Sequence, residues 1–290
     1  MRAAIHKSTI PATQMFVVRY LNENKFDPVW HAHSEYQLFV VLQGTGTRFI
    51  GDNIHSFMPG ELILTGPHLP HLWRSHEKYF ECDSELETTG IVIYLNHHFL
   101  GEQMLDKMEL YRLKLLFDRS MRGLEFYGQN KLIVIELMKE LVTMEGLPSL
   151  MQLLKILHIL STTKDYHCIS SYPYIYNINN EHESDRLNKV YGYVHSNYRS
   201  KIPLEKMADL LHMTPTSFSR YFTMKNNKTY TRFLTEIRIK HACELLNETD
   251  MSVAEICYEC GFNTLSNFNK LFKEVMHKKP TEYKKNFMNL

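Results

Sequence analysis

The stretch from Ser252 to Lys273, SVAEICYECGFNTLSNFNKLFK, constrains this chain more than any other, because it reads as two short helices joined by a tight turn. Ser252 and Glu255 have the S-x-x-E spacing of a capping box, which satisfies the free N–H groups at a helix start. Val253, Ile256, Cys257 and Cys260 recur at helical spacing and predict one buried face. Gly261 follows, where a left-handed residue ends a helix at little steric cost. Asn263 or Thr264 can cap a second helix, with Phe268, Leu271 and Phe272 facing inward and Ser266, Asn267, Asn269 and Lys270 outward. A short helix that shows amides, hydroxyls and a cation to solvent, held by a helix behind it, is what a helix-turn-helix reader of DNA requires.

The pattern recurs about 50 residues earlier, in PLEKMADLLHMTPTSFSRYF, Pro203 to Phe222, and repetition at a fixed offset argues against a chance match. Thr214, Phe218, Arg220 and Phe222 match Thr264, Phe268, Lys270 and Phe272, whereas Ala208, His212 and Met213 match Cys257, Gly261 and Phe262 one residue out of step. The second turn is therefore predicted to be one residue longer. Pro203 stands where the second copy has its capping Ser252. Between the copies, Thr231 to Asn247 carries Phe233, Leu234, Ile237, Ile239, Ala242, Leu245 and Leu246 as an apolar stripe, predicting one long helix that fixes the spacing of the two readers.

With SRYF, IRIKHACELL, VAEICYECGFNTLSNFNKLFK and KKPTEYKK on the page, residues 186–290 resemble the double helix-turn-helix domain of AraC/XylS-type transcription regulators. The resemblance implies two recognition helices on one face, entering successive major-groove segments of one duplex. Carried over position by position, it puts the DNA-facing side chains at Thr216, Ser219 and Arg220 in the first reader and at Ser266, Asn267 and Lys270 in the second. Asn227 and His277 replace the glycine that usually ends each reader, and both tolerate a left-handed backbone better than most residues.

A formal net charge of +1 hides an asymmetry: from Arg186 onward there are 17 Lys and Arg against 10 Asp and Glu, and the remainder of the chain is acidic. A basic end on an acidic body suits a DNA-binding module joined to a part with another task. The chain has no apolar run near the roughly 18 residues of a membrane span, and its first residues lack the apolar core of a secretory signal. Five scattered cysteines suggest reduced thiols in a cytoplasmic setting. Cys257-x-x-Cys260 has no second half for a metal site and is read as core packing.

Phe16 to about Leu95 has another texture. Short apolar runs, FVVRY, QLFVVL, TRFIG, ELILTG and GIVIYL, separated by Gly, Pro, Asn or Asp, predict strands of an all-β sandwich or barrel. Within it, His31-x-His33, Gln37, Gly44 and later Pro59-Gly60-Glu61 and His71 resemble the cupin barrel, with Gln37 in the place of the glutamate of its first motif. The two histidines, placed one apart on a predicted strand, point the same way, and His71 can converge with them. Three readings stay open: a metal site weakened by the loss of a carboxylate, a ligand pocket, or structural hydrogen bonding. Trp30, Tyr36 and Trp73 flank the cluster, for stacking on a ligand or for ordinary core. The polar arm Met1 to Gln14 can close over such a pocket, as it does in some members of the family.

From His97 to Thr163 the period becomes helical. One stripe holds Leu105, Met108, Leu110, Leu113, Leu116 and Phe117, another Leu132, Ile133, Ile135, Leu137, Met138 and Leu141, and Ser149 to Ser161 is apolar nearly all round. The resemblance makes these helices a dimerisation region, the alternative being an internal core. The expected architecture is α+β: residues 1–96 a cupin-like sensor barrel with its arm, 97–163 helical dimerisation, 164–185 a linker, and 186–290 an all-α double helix-turn-helix domain. The expected function is a sequence-specific DNA-binding regulator, not an enzyme, that binds double-stranded DNA as a homodimer and senses a small-molecule effector, a sugar or related metabolite. RNA polymerase is a further partner open to it. Trp30, His31, His33, Gln37, His71 and Trp73 are the candidate ligand-binding residues, with no catalytic residue, cofactor or metal assigned. The competing expectation is a metal-dependent cupin enzyme carrying a DNA-binding domain.

Overall fold

The computed structural model describes residues 10, 11, 13–26, 31–81, 83–96, 98–101, 104–170, 181–226 and 228–288. The chain divides into two units, Met1–Ser184 and Asp185–Leu290. Trp30, Asn227 and most of the arm lie outside the described residues.

The first unit contains β1 Phe16–Glu23, β2 Tyr36–Gln43, β3 Gly46–Ile50, β4 Asn53–Phe57, β5 Leu62–Thr65, β6 His71–Ser75 and β7 Thr88–Leu95, then α1 Tyr111–Ser120, β8 Leu124–Phe126, α2 Gly128–Leu141, α3 Gly146–Thr162 and β9 Tyr166–Cys168. The strands form a six-stranded sheet in the order β1-β7-β2-β5-β8-β9 and a three-stranded sheet in the order β4-β3-β6. Successive side chains of a strand face opposite ways, and here both ways lead to a core. Leu38 and Val40, Leu62 and Leu64, and Ile91 and Ile93 pack with Leu116, Phe117, Met138, Ile156 and Leu157 of the helices. The alternate residues Phe39, Val41, Ile63 and Val92 pack with Ile50, Phe57 and Trp73 of the small sheet. Burial on both faces is why these strands read as continuous apolar runs.

Arg48 lies in the centre of β3 and is 2% exposed. Its Nε donates to Glu61 Oε1 at 2.7 Å, and its other guanidinium nitrogens donate to Asn53 and Glu125. Glu61 Oε2 also accepts from the Trp73 indole at 3.2 Å, and Glu125 Oε2 meets His167 Nε2 at 3.0 Å. One cation in β3 therefore links the residue that precedes β5 with β6, β8 and β9. Burial pushes the Glu61 carboxyl above the usual carboxylate range, against the pull of Arg48.

Three expectations for this unit need correction. The stretch 97–163 is not all helical, because Leu124–Phe126 is a strand, and Leu105, Met108 and Leu110 precede α1 in 3-10 turns. Leu132 and Ile133 are exposed, at 52% and 42%, and not part of the buried stripe. The expected linker 164–185 begins with strand β9, paired to β8 at the sheet edge, while 171–180 lie outside the described residues.

The second unit is helical: α4 Glu181–Asn197, which begins just before the division, α5 Leu204–Leu210, α6 Pro215–Asn226, α7 Tyr230–Glu248, α8 Val253–Glu259, α9 Leu265–Met276 and α10 Pro280–Met288. The predicted capping box is formed, with Ser252 N donating to Glu255 Oε2 at 2.7 Å and Glu255 N to Ser252 Oγ at 3.2 Å. Pro203 provides no such cap to α5. The one-residue difference between the turns also appears. His212 and Gly261, 49 apart, both have positive φ, 55° and 78°. Thr214 and Thr264, 50 apart, both accept from the backbone N–H three residues on, Ser217 and Asn267. The extra residue therefore lies between the left-handed residue and the cap. Cys257 and Cys260 are fully buried in the core of this half, and burial raises both thiols, which makes them packing residues.

Two outcomes follow for stability. Arg48→Met leaves the buried Glu61 and the partly buried Glu125 without their cation, and should lower unfolding free energy by about 3–5 kcal/mol, read as an earlier urea midpoint; an unchanged midpoint would mean that the network contributes nothing. Gly261→Ala forces a side chain into a left-handed backbone, and its Cβ would lie 2.6 Å from the Arg199 carbonyl. Its cost should be about 1–3 kcal/mol in thermal unfolding of the chain, whereas His212→Gly at the matching position should show no such loss.

Candidate nucleic-acid interface and ligand pocket

The first reader, α6, starts at Thr214, whose cap is followed by Pro215, a residue preorganised for the first helical position. Phe218, Tyr221 and Phe222 anchor it inward. Thr216, Ser217, Arg220 and Thr223 are exposed, while Ser219 is only half-exposed, so the face is centred slightly away from the position carried over for that serine. In α9, Phe268 and Phe272 are buried, and Ser266, Asn267, Asn269 and Lys270 are exposed. Lys270 Nζ lies 4.0 Å from Glu274 Oε1, one turn on, with 74% of its side chain in solvent. His277 ends the helix in the left-handed conformation that glycine would otherwise take.

Both readers pack on α7. Tyr230 and Phe233, near its start, meet Phe218 and Phe222. Ile239, Ala242, Cys243 and Leu246, further along, share a core with Ile256, Phe262, Phe268 and Phe272. Arg238 sits between these halves. It donates to the Tyr198 carbonyl at 2.8 Å and the Ser200 carbonyl at 2.7 Å, and its guanidinium lies 5.7 Å from the centre of the Phe262 ring. One residue thus holds the loop before the first reader against the turn of the second. Lys273, Lys278 and Lys279 add exposed positive charge at the end of α9.

In the first unit a cavity of about 390 Å³ is lined by Arg19, Leu21, Glu23, Lys25, Phe26, His31, His33, Gln37, Phe39, Trp73, Val92 and Tyr94. The ligand nitrogens of His31, His33 and His71 lie within 4.8 Å of one another, so the cluster converges. The route differs from the one expected. His31 makes a single bridge to His71, and His33 precedes β2, so the first two histidines are brought together by an irregular segment and not by a strand. His33 Nε2 and His71 Nε2 each lie 3.1 Å from Gln37 Oε1. His71 Nδ1 meets the Leu69 carbonyl at 2.7 Å, and His33 Nδ1 the Glu35 carbonyl at 3.1 Å. Burial, with His31 and His33 alongside, holds His71 well below the usual histidine range, hence neutral. Trp73 borders the cavity with its indole N–H turned to Glu61.

Sequence reasoning missed Arg19, Leu21, Glu23, Lys25 and Tyr94. Arg19, Leu21 and Glu23 are alternate residues of β1, and this period of two was the available signal.

Residues 17–141 match the AraC-like ligand binding domain, and residues 207–286 match a helix-turn-helix domain. The HTH-type transcriptional regulator YdeC of Bacillus subtilis is 24% identical over 91% of this chain and 88% of its own length. The Msm operon regulatory protein of Streptococcus mutans is 22% identical over 88% and 85%, and the transcriptional activator RhaS of an Enterobacter species 21% over 87% and 86%. All three carry the names of regulators, YdeC as an uncharacterized one, and the enzyme reading is set aside. Two capped readers on a shared helix, preceded by a β-rich unit with a cavity, are the parts these matches describe: the chain belongs to the AraC family of helix-turn-helix transcription regulators, with an AraC-like ligand-binding domain ahead of its DNA-binding domain.

Proposed function

We propose that this regulator is governed by a small polar effector, a sugar or related metabolite, that enters the cavity bordered by Trp73, Gln37, His31 and His33, with His71 buried behind them. Aromatic rings beside hydrogen-bonding side chains suit a hydroxylated ring, which offers both an apolar face and polar edges. The effector acts only through its different affinity for the conformations of the sensor.

DNA is read by Thr216, Ser219 and Arg220 on α6 and by Ser266, Asn267 and Lys270 on α9. The observation that carries this reading is the pair of equally capped, outwardly polar helices on one spine. Arg220 suits the two acceptors of guanine, and Asn267 the acceptor and donor of adenine. Lysines such as Lys273, Lys278 and Lys279 engage phosphates, so affinity falls steeply with salt. Working on DNA places the protein in the cytoplasm and within reach of RNA polymerase.

The working form is a homodimer. On α3, Leu147, Met151 and Leu154 are 68%, 63% and 37% exposed at a spacing of four and three residues, which makes one apolar stripe. A second copy is the partner such a stripe suits best, because closed two-fold pairs use the same patch on both subunits.

Two measurements test this. Selection of random duplexes by the full chain should recover a fixed motif, and Arg220→Ala should relax one base pair of it at a cost of roughly 1–3 kcal/mol; recovery of the unchanged motif with undiminished affinity would remove Arg220 from the base-reading set. In sedimentation, the wild type should run as a dimer and the Leu147→Glu, Met151→Glu double variant as a folded monomer. A wild-type monomer, or a variant that stays dimeric, would place the subunit contact elsewhere.

A further inference from the structure

The cupin resemblance brings with it a metal held by a histidine cluster, and the cluster is present, so the donor set decides whether an ion fits. His71 Nδ1 faces the Leu69 carbonyl at 2.7 Å. His33 Nδ1 faces the Glu35 carbonyl at 3.1 Å and a Glu35 carboxylate oxygen at 3.4 Å. Carbonyl and carboxylate oxygens only accept, so in both rings Nδ1 carries the hydrogen. Both rings are buried, their centres 5.0 Å apart, and a neutral imidazole carries a single ring hydrogen. Each Nε2 is therefore a bare lone pair. Both lone pairs point at one place, the end of the Gln37 side chain, 3.1 Å from each.

That is the arrangement a cation between two imidazoles would use, outer acceptors included. What stands there is a carboxamide. Its oxygen has no hydrogen to give and would confront two lone pairs. Its NH2 group has two hydrogens, and a half-turn about the last side-chain bond puts that group at the same point. We propose that Gln37 takes the place of the metal: its NH2 gives one hydrogen to His33 Nε2 and one to His71 Nε2, closing a neutral, metal-free bridge in the wall of the cavity. A zinc ion would sit about 2.0–2.1 Å from each imidazole nitrogen and would have to expel the amide. Among the described residues, the cluster it would then meet is three imidazoles with no carboxylate among them. A carboxylate at the same position has no hydrogens to share and would be such a ligand, so one substitution should convert the bridge into a metal site. The inference goes beyond the effector reading and stands whether or not an effector enters the cavity.

The test uses the full chain, loaded with Zn2+ or Ni2+, passed through gel filtration and analysed for metal per chain. Wild type should retain almost none. Gln37→Glu should retain one ion per chain, and Gln37→Glu with His71→Ala should lose it. In parallel, long-range 1H–15N spectra of the wild type should show His33 and His71 both as Nδ1–H tautomers, a measurement that decides the matter if Gln37→Glu does not fold. One ion per wild-type chain that disappears in His71→Ala would overturn the proposal. So would a folded Gln37→Glu that binds no more metal than wild type, or a proton on Nε2 of either ring.

Discussion

The DNA-binding unit depends on α7 being buried from both ends at once. Its first turns take the aromatic faces of α6, and its later turns take the core of the second helix-turn-helix. Neither reader has much core of its own, since α5 and α8 are seven residues each, and short helices gain most of their stability from tertiary packing. A single helix of 19 residues between them turns two marginal motifs into one body. Arg238 reinforces the join by holding backbone carbonyls before α5 while stacking on Phe262.

The sensor unit solves a related problem with a sheet. β2, β5 and β7 bury both faces, one under α1 to α3 and one toward the small sheet. A cavity survives where β1 supplies Arg19 and Glu23 in place of apolar residues. Arg48 reaches from the small sheet to Glu61 and Glu125 of the large one, and the same Glu61 holds the indole of Trp73, so a wall of the cavity and the edge strands share one buried ionic network. A buried network of this kind is costly to leave half satisfied.

Much of the second unit was legible because its signals are local. A capping box, a turn residue with positive φ and a threonine cap each span three or four residues, and their offsets of 49 and 50 gave the turn lengths before any coordinates. The first unit was legible only in part. The histidines and Gln37 carry a motif, but strands of three residues, such as β8 and β9, are too short to show a period, and so their stretches read as helical region and linker. Arg48 is the one charged residue of TRFIG, a run read only as a strand. Its partners lie 13 and 77 residues away in sequence, and no local pattern announces them. In β1 the charged Arg19 and Glu23 line the cavity on one face, so polarity alone could not say which face was inside.

The account stands or falls on both readers docking on one duplex at the same time. The most direct measurement is DNA cleavage by an iron chelate tethered through Thr216→Cys in one protein and Ser266→Cys in another, each bound to a duplex recovered by selection. The account predicts two cleavage centres in the same bound site, about one helical turn, roughly 34 Å, apart. Cleavage from only one of the two positions, or centres that coincide, would contradict it.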